Sequence, residues 1–500
     1  MAKFKEKLRG FLRGENASSL ALTIVVIAVA VILNVLIYLL DVNYGLYLYA
    51  PENDGYTVSD SASEAFSAAA ARGDKVTILF CRPEDEVKTH TTGSYVYDTA
   101  KQLAAKYPDL ITLDYANIIT GRRADGSEID LSEFRGQIDR NSVIFLSGGR
   151  SKAVTDFTTT AGYSDFYVLD SSGSAVAYKG EETMTAMTLW VLTDDHPKAY
   201  LTTGHGQQLD REFFSMLTNA GYETETLDLR KSEVPADAGL VLICTPISDF
   251  EAAVEGSSIR SEIARLTDYL ERGGNLYVSL DPYGKRLPTL EAFLARYGIE
   301  VSRGEDRSAN ILRDSRNAVT TDGYTFVTDV SGDSETGRQI RELLGKYDTG
   351  SPVIGSAASL LCTEDASPLL VTSPSGETYA SGERTGSAGV YTAAAISSVA
   401  GTGESLGKTG HLFAVCSASF SNADALTAAG YANKDLLYAV FDRLYGSMTP
   451  PYGTAVLSVD SSTLENLTMG AARTYTAILM LIPLALAIVG AVLTLRRKNR

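Results

Sequence analysis

Two uncharged apolar runs near the two ends of the chain decide most of what can be built between them. Residues 20–40 form a run of 21 without a charge, and residues 474–495 a run of 22. At a helical rise of about 1.5 Å per residue each covers roughly 30 Å, the thickness of a bilayer's hydrocarbon core. Both are expected to be transmembrane helices. Lys and Arg resist transfer across a membrane and stay on the cytoplasmic side. Lys3, Lys5, Lys7, Arg9 and Arg13 precede the first run, and Arg496, Arg497, Lys498 and Arg500 follow the second. The expectation is a two-pass cell-membrane protein with both basic tails (1–19 and 496–500) cytoplasmic and residues 41–473 extracytoplasmic. The first run is longer than a signal-peptide core, and Asp41-Val42-Asn43 offers no small-x-small cleavage pattern, which favours an uncleaved anchor. Pro483 and Gly490 in the second run suit a kink or close packing by a neighbouring span, and lipid-facing helices tolerate them too.

The net charge of −17 conceals a split. The tail 1–19 carries +3 and residues 496–500 carry +4, which leaves −24 on the part between. Such acidity argues against nucleic acid as a partner and against a surface that lies on anionic lipid. Cys81, Cys244, Cys362 and Cys416 each close a short apolar run, and their wide spacing excludes C-x-x-C redox or zinc motifs. Buried strand cysteines are expected.

Between the runs, residues 41–195 read as an extracytoplasmic α/β domain. Helices are predicted at 61–71, 94–107 and 181–192, with strands at 75–81, 110–116, 141–147 and 166–170. The order is thioredoxin-like, without a redox cysteine pair. Residues 196–301 read as a second α/β domain. A strand at 198–203 ends in Gly204-His205-Gly206, and Leu209, Phe213 and Leu217 then mark one helix face. Strands at 224–229 and 239–244 follow, then a helix over 257–272 opening on a capping serine, a strand at 275–280 into Asp281, and a helix over 287–297. Strands alternating with helices imply a doubly wound parallel sheet covered on both faces. Residues 302–356 lose this regularity and read as a variable insertion. The rest of 302–473 is a strand-rich return with an amphipathic helix over 434–445.

The order of landmarks resembles the GldG-type auxiliary subunits of ABC transport systems, a group first associated with gliding motility. The resemblance runs through 181–192 (EETMTAMTLWVL), 199–206 (AYLTTGHG), 221–229, 238–246, 269–281 (YLERGGNLYVSLD), 433–445 and the proline-containing final run ending in Arg-Arg-Lys. It implies action beside an ABC ATPase and a multi-spanning permease, and a central domain similar in fold to class I glutamine amidotransferases. Residues 302–356 contribute nothing to it.

The residues themselves argue against amidotransferase chemistry, which needs a cysteine on a glycine-flanked elbow with a histidine and an acid to activate it. Cys244 ends a strand, but its neighbours are Ile243, Thr245 and Pro246. No catalytic residue, cofactor or metal ligand is expected. His205, held between Gly204 and Gly206 at the carboxyl end of a strand, is a candidate for ligand or partner contact, with Asp281 at the same sheet edge. The alternative is a tight turn in which the imidazole caps the next helix or bonds to Asp281. Gly401 to Thr409 superficially suggests a phosphate loop, but Thr402 stands where the first glycine is needed, and a hairpin loop is expected. The expectation is therefore a non-catalytic component of an ABC-type transport complex, in contact with membrane lipid and powered by a separate ATPase. Alternatives are an anchored amidotransferase-like hydrolase using Cys244 or His205, and a passive envelope scaffold.

Overall fold

The computed structural model describes residues 58–458, apart from 91, 135, 156–163, 171, 208, 253–259, 364, 429, 447–449 and 455. The apolar runs at 20–40 and 474–495 and the basic tails lie outside the described residues. Among the described residues no helix is long and apolar enough to cross a membrane.

The described part is a mixed α/β structure with several sheets. Helix α1 (Asp60–Arg72) starts where the Ser59 side chain accepts the Ala62 N–H, and stops at Gly73 in the left-handed conformation. Its Ala62, Phe66 and Ala69 recur at helical spacing and are buried. Strand β1 (Val76–Phe80) follows. Helices α2 (Glu84–Thr89) and α3 (Gly93–Lys106) then carry the chain back, so that β2 (Ile111–Asn117) lies parallel to β1. β3 (Val143–Ser147) pairs antiparallel with β1, and β4 (Arg150–Val154) folds back on β3 through Gly148-Gly149, both at positive φ. With Arg122–Arg123 beside β2 this sheet has five strands. One of its faces is closed by Phe134, at the end of a 3-10 turn (Ser132–Phe134), packed on Leu79, Cys81 and Ile144.

A hairpin, β5 (Tyr167–Leu169) and β6 (Ala175–Tyr178), leads into helix α4 (Gly180–Leu192), which connects to the second sheet. There β7 (Lys198–Thr202), β8 (Glu223–Leu227), β9 (Ala238–Cys244) and β10 (Asn275–Leu280) run parallel in the spatial order β8-β7-β9-β10. The next neighbours come from far along the chain. β11 (Thr392–Ala400) and β12 (Thr409–Cys416) form an antiparallel hairpin whose second strand lies parallel to β10. Leu360–Cys362 and Ile299–Val301 continue the sheet beyond β11. Residues on both sides of 301 thus share one sheet, and the loop from Gly401 to Lys408 is the turn of the hairpin.

Successive side chains of a strand point to opposite faces. Leu240, Leu242 and Cys244 of β9 enter a core shared with helices α5 (Arg211–Asn219), α8 (Glu335–Lys346) and α9 (Asn433–Tyr445) through Phe213, Leu344 and Phe441. Val241 and Ile243 enter the opposite core with α6 (Glu262–Glu271) and α7 (Pro288–Arg296) through Leu266, Leu270 and Leu290. Burial on both faces is why β9 reads as an unbroken apolar run. Two local readings change. The cap of α6 is Ser261, whose side chain accepts the Ala264 N–H, and residues 302–356 contain α8, a capped helix whose Ile340 and Leu344 are buried.

The described chain begins and ends in one place. The Ser61 hydroxyl donates to the Tyr452 carbonyl at 2.6 Å, and β13 (Leu457–Ser458) pairs antiparallel with β6 at Tyr178 and Ala177.

Candidate functional site

The parallel strands, in the order β8-β7-β9-β10-β12, reverse direction of progression between β7 and β9. At such a reversal the loops leaving two neighbouring strands diverge, and open α/β sheets bind ligands there. Gly204-His205-Gly206 leaves β7 at this point. Gly204 has φ +100° and Gly206 φ +71°, a region that glycine enters without a Cβ penalty. A Cβ on Gly204 would sit 2.3 Å from Arg230 Nη2, and one on Gly206 3.1 Å from the Ile247 side chain. The two glycines let those side chains cross the turn.

His205 is 5 % exposed. Its Nε2 lies 2.7 Å from Glu262 Oε1, and its ring stacks on Phe250 with centroids 4.1 Å apart. Glu262 is fully buried, and its second oxygen accepts the Glu251 N–H at 2.9 Å. A carboxylate only accepts, so Nε2 carries a proton, and in the neutral imidazole Nδ1 is then the acceptor. Nδ1 lies 3.4 Å from the hydroxyl of exposed Ser248, while the His205 carbonyl accepts the Ile247 and Ser248 N–H groups. The acid beside His205 is therefore Glu262. Asp281, at the end of β10, accepts the Tyr283 N–H through Oδ1 at 2.9 Å. It borders a cavity of about 20 Å³ lined by Pro246, Lys285, Arg303 and Cys416. That holds about one water, far short of the roughly 300 Å³ at which ligand pockets begin.

Cys244 is buried, and burial pushes its thiol up to about 12, so the thiolate needed of a nucleophile is scarce at neutral pH. The sharp turn belongs to the next residue, Thr245, with φ +40°. The remaining three histidines stand elsewhere: His90 Nδ1 faces Thr92 Oγ1 at 3.2 Å, His196 stacks on Trp190 at 3.8 Å, and His411 Nδ1 faces Ser398 Oγ at 3.3 Å. Among the described residues no group of three or more His, Cys, Asp or Glu could hold a metal ion. In the first sheet an open groove of about 310 Å³ is lined by Lys75, Thr77, Glu133, Ser147 and Arg150. Its cations are engaged, Lys75 with the Asp109 carbonyl and Arg150 with Val191 and Asp194.

A second polar cluster lies where α4 meets α5 and α9. Glu182 of α4 accepts from Lys434 Nζ at 2.6 Å, from the Tyr438 hydroxyl at 2.5 Å and from Asn219 Nδ2 at 3.2 Å. Lys179 pairs with Glu212 beside it. Burial alone would raise the Glu182 carboxyl, but the Lys434 and Lys179 cations outweigh it and hold the group below its ordinary value. Burial pushes Asp435 up to about 6 despite Lys434, and its Oδ1 accepts the Gly453 N–H at 2.8 Å. Linear pattern hides both clusters, because Glu262 lies 57 positions from His205 and Lys434 lies 252 from Glu182. Glu262 looks like an ordinary first-turn acid, and 434–445 reads as an amphipathic helix, whereas nearly all of α9 is buried.

No family model matches the chain, and no curated protein matches it. Among solved structures, the chain is similar to the mmIFT52 N-terminal domain, at 15 % identity and a TM-score of 0.37, over 49 % of this chain and 97 % of that one. It is similar to PurLQS from Thermotoga maritima at 15 % identity and a TM-score of 0.29, over 50 % of this chain and 100 % of the other. A cytoplasmic protein, STM3548 from Salmonella typhimurium, matches at 10 % identity and a TM-score of 0.27, over 49 % and 98 %. At these levels the likeness assigns neither family nor activity.

Proposed function

We propose that the chain is a two-span, membrane-anchored extracytoplasmic component of an ABC-type transport complex, a GldG-type auxiliary subunit acting beside a separate permease and ATPase. The observation that carries this reading is the meeting of the two ends of the described chain. Ser61 bonds to Tyr452, and Leu457–Ser458 joins a sheet with Ala177 and Tyr178. Ends that meet are what anchorage at both ends to one partner asks of the folded part between them. The finer fold reading is a thioredoxin-like first domain and an amidotransferase-like second one. It is supported by the order β2-β1-β3-β4, with β3 antiparallel to β1, and by the five parallel strands of the second sheet. The transport role asks for no catalysis from this chain, since energy comes from the partner ATPase. Purification of the tagged full chain from membranes in mild detergent is expected to bring a permease and an ATPase with it. Recovery of the chain without either would overturn the proposal.

A further inference from the structure

The transport role leaves unused an unusual side-chain group among the described residues, Ser248 with His205 and Glu262. Three features set it apart. Glu262 is buried without exposure, has both oxygens engaged, and holds a proton on Nε2, so that Nδ1 is the acceptor of the neutral ring. Phe250 fixes the plane of the ring from one side. The atom offered to Nδ1 is a hydroxyl on an exposed residue, three positions beyond the strained Thr245 at the end of β9. An acid, a histidine and a serine in line, with acid and base buried and the hydroxyl at the surface, are the arrangement that activates serine for acyl transfer. The 3.4 Å between Ser248 and His205 is within the looseness such contacts have before substrate binds. The group stands at the carboxyl edge of the sheet, where its order reverses.

We infer that Ser248, His205 and Glu262 form a serine acyl-transfer site that acts on esters with an apolar acyl group. Ser248 Oγ attacks the ester carbonyl while its proton passes to His205 Nδ1. The carbon–oxygen bond to the alcohol breaks, and the alcohol leaves with that proton. Water then attacks the acyl-serine, again giving its proton to His205, and the acid is released as Ser248 recovers its hydrogen. Glu262 is a positioning residue that holds the ring and balances the imidazolium. Ile247, 62 % exposed beside Ser248, supplies the apolar surface for the acyl chain.

The test is labelling of the purified full chain in detergent with a fluorophosphonate probe, followed by p-nitrophenyl butyrate hydrolysis. Expected are one covalent label on Ser248 and at least a 50-fold loss of labelling rate in Ser248→Ala, whose exposed position leaves the melting temperature unchanged. In Ser248→Cys the thiolate absorbance should titrate below the ordinary thiol range, and adding Glu262→Gln should move it back up, a readout that a purely structural role for Glu262 would not shift. An unlabelled wild type, or a Ser248→Ala protein labelled as fast as wild type, overturns the inference. Either result leaves the copurification test of the transport role untouched.

Discussion

The sharpest consequences for single residues come from the charges under α4. Asp435 and Glu182 lie in one buried cluster yet respond to pH in opposite senses. Glu182 is held below its ordinary value by Lys434 and Lys179, so its contribution to stability is present above its unfolded pKa and fades as pH falls. Asp435 is raised to about 6, so its contribution is complete below the unfolded value near 4 and is lost as pH rises through about 6. Asp435→Asn keeps an oxygen for the Gly453 N–H and removes the buried charge. The variant is expected to be about 2 kcal/mol more stable than wild type at pH 7.5 and equal to it near pH 4. Urea unfolding at the two pH values checks this, and equal stability at pH 7.5 would refute it. At this scale the sequence was readable for Gly204 and Gly206, whose spacing around His205 marked a tight turn. The partners of His205 were not readable, because a hydrogen-bond partner is chosen by packing and not by nearness in the chain.

Elements were legible where local physics sets them. The helices over 60–72, 93–106, 211–219 and 433–445 lie close to their predicted places, since a face of apolar residues acts within a few residues in each, joined at 60–72 and 211–219 by a capping side chain, Ser59 and Asp210. Two elements were misread for local reasons as well. Helix α6 was expected from 257, but the Ser261 side chain takes the Ala264 N–H and Glu262 follows in the first turn. Ser261→Ala should therefore cost about 1 kcal/mol, read as a shift in the urea midpoint at constant slope. A midpoint within error of wild type would mean that the cap lies elsewhere. Helix α8 was hidden in 302–356, because polar residues surround the few apolar ones that matter. Ser334 caps it and Ile340 and Leu344 are its buried stripe, a spacing of four that a strongly polar background masks.

For the molecule as a whole, the cluster around Glu182 ties α4, the helix between the two sheets, to α5 and α9. Removing one partner of a buried ion pair leaves the other charge without compensation, at a cost of about 3–5 kcal/mol. Lys434→Met is thus expected to lower the stability of the full chain by roughly 3 kcal/mol. Trp190, the chain's one tryptophan, lies on α4 and reports on this joint. Its fluorescence in wild type should follow the same denaturant transition as circular dichroism. In the variant it should move to lower denaturant, and an unchanged fluorescence midpoint would show that the cluster does not hold the joint.

The sequence by itself determined what depends on neighbours a few places away: most of the strands and helices outside 302–356, the turn around His205, and the apolar runs whose length suits a bilayer. Tertiary structure alone decided which distant pieces meet. β12 takes its place beside β10 across more than a hundred residues, Glu262 reaches His205, and Lys434 reaches Glu182. The physical reason is that caps, turns and periodicity act through the local backbone. Strand order and buried polar partners follow from how two apolar faces are covered at once, which no short stretch of residues encodes.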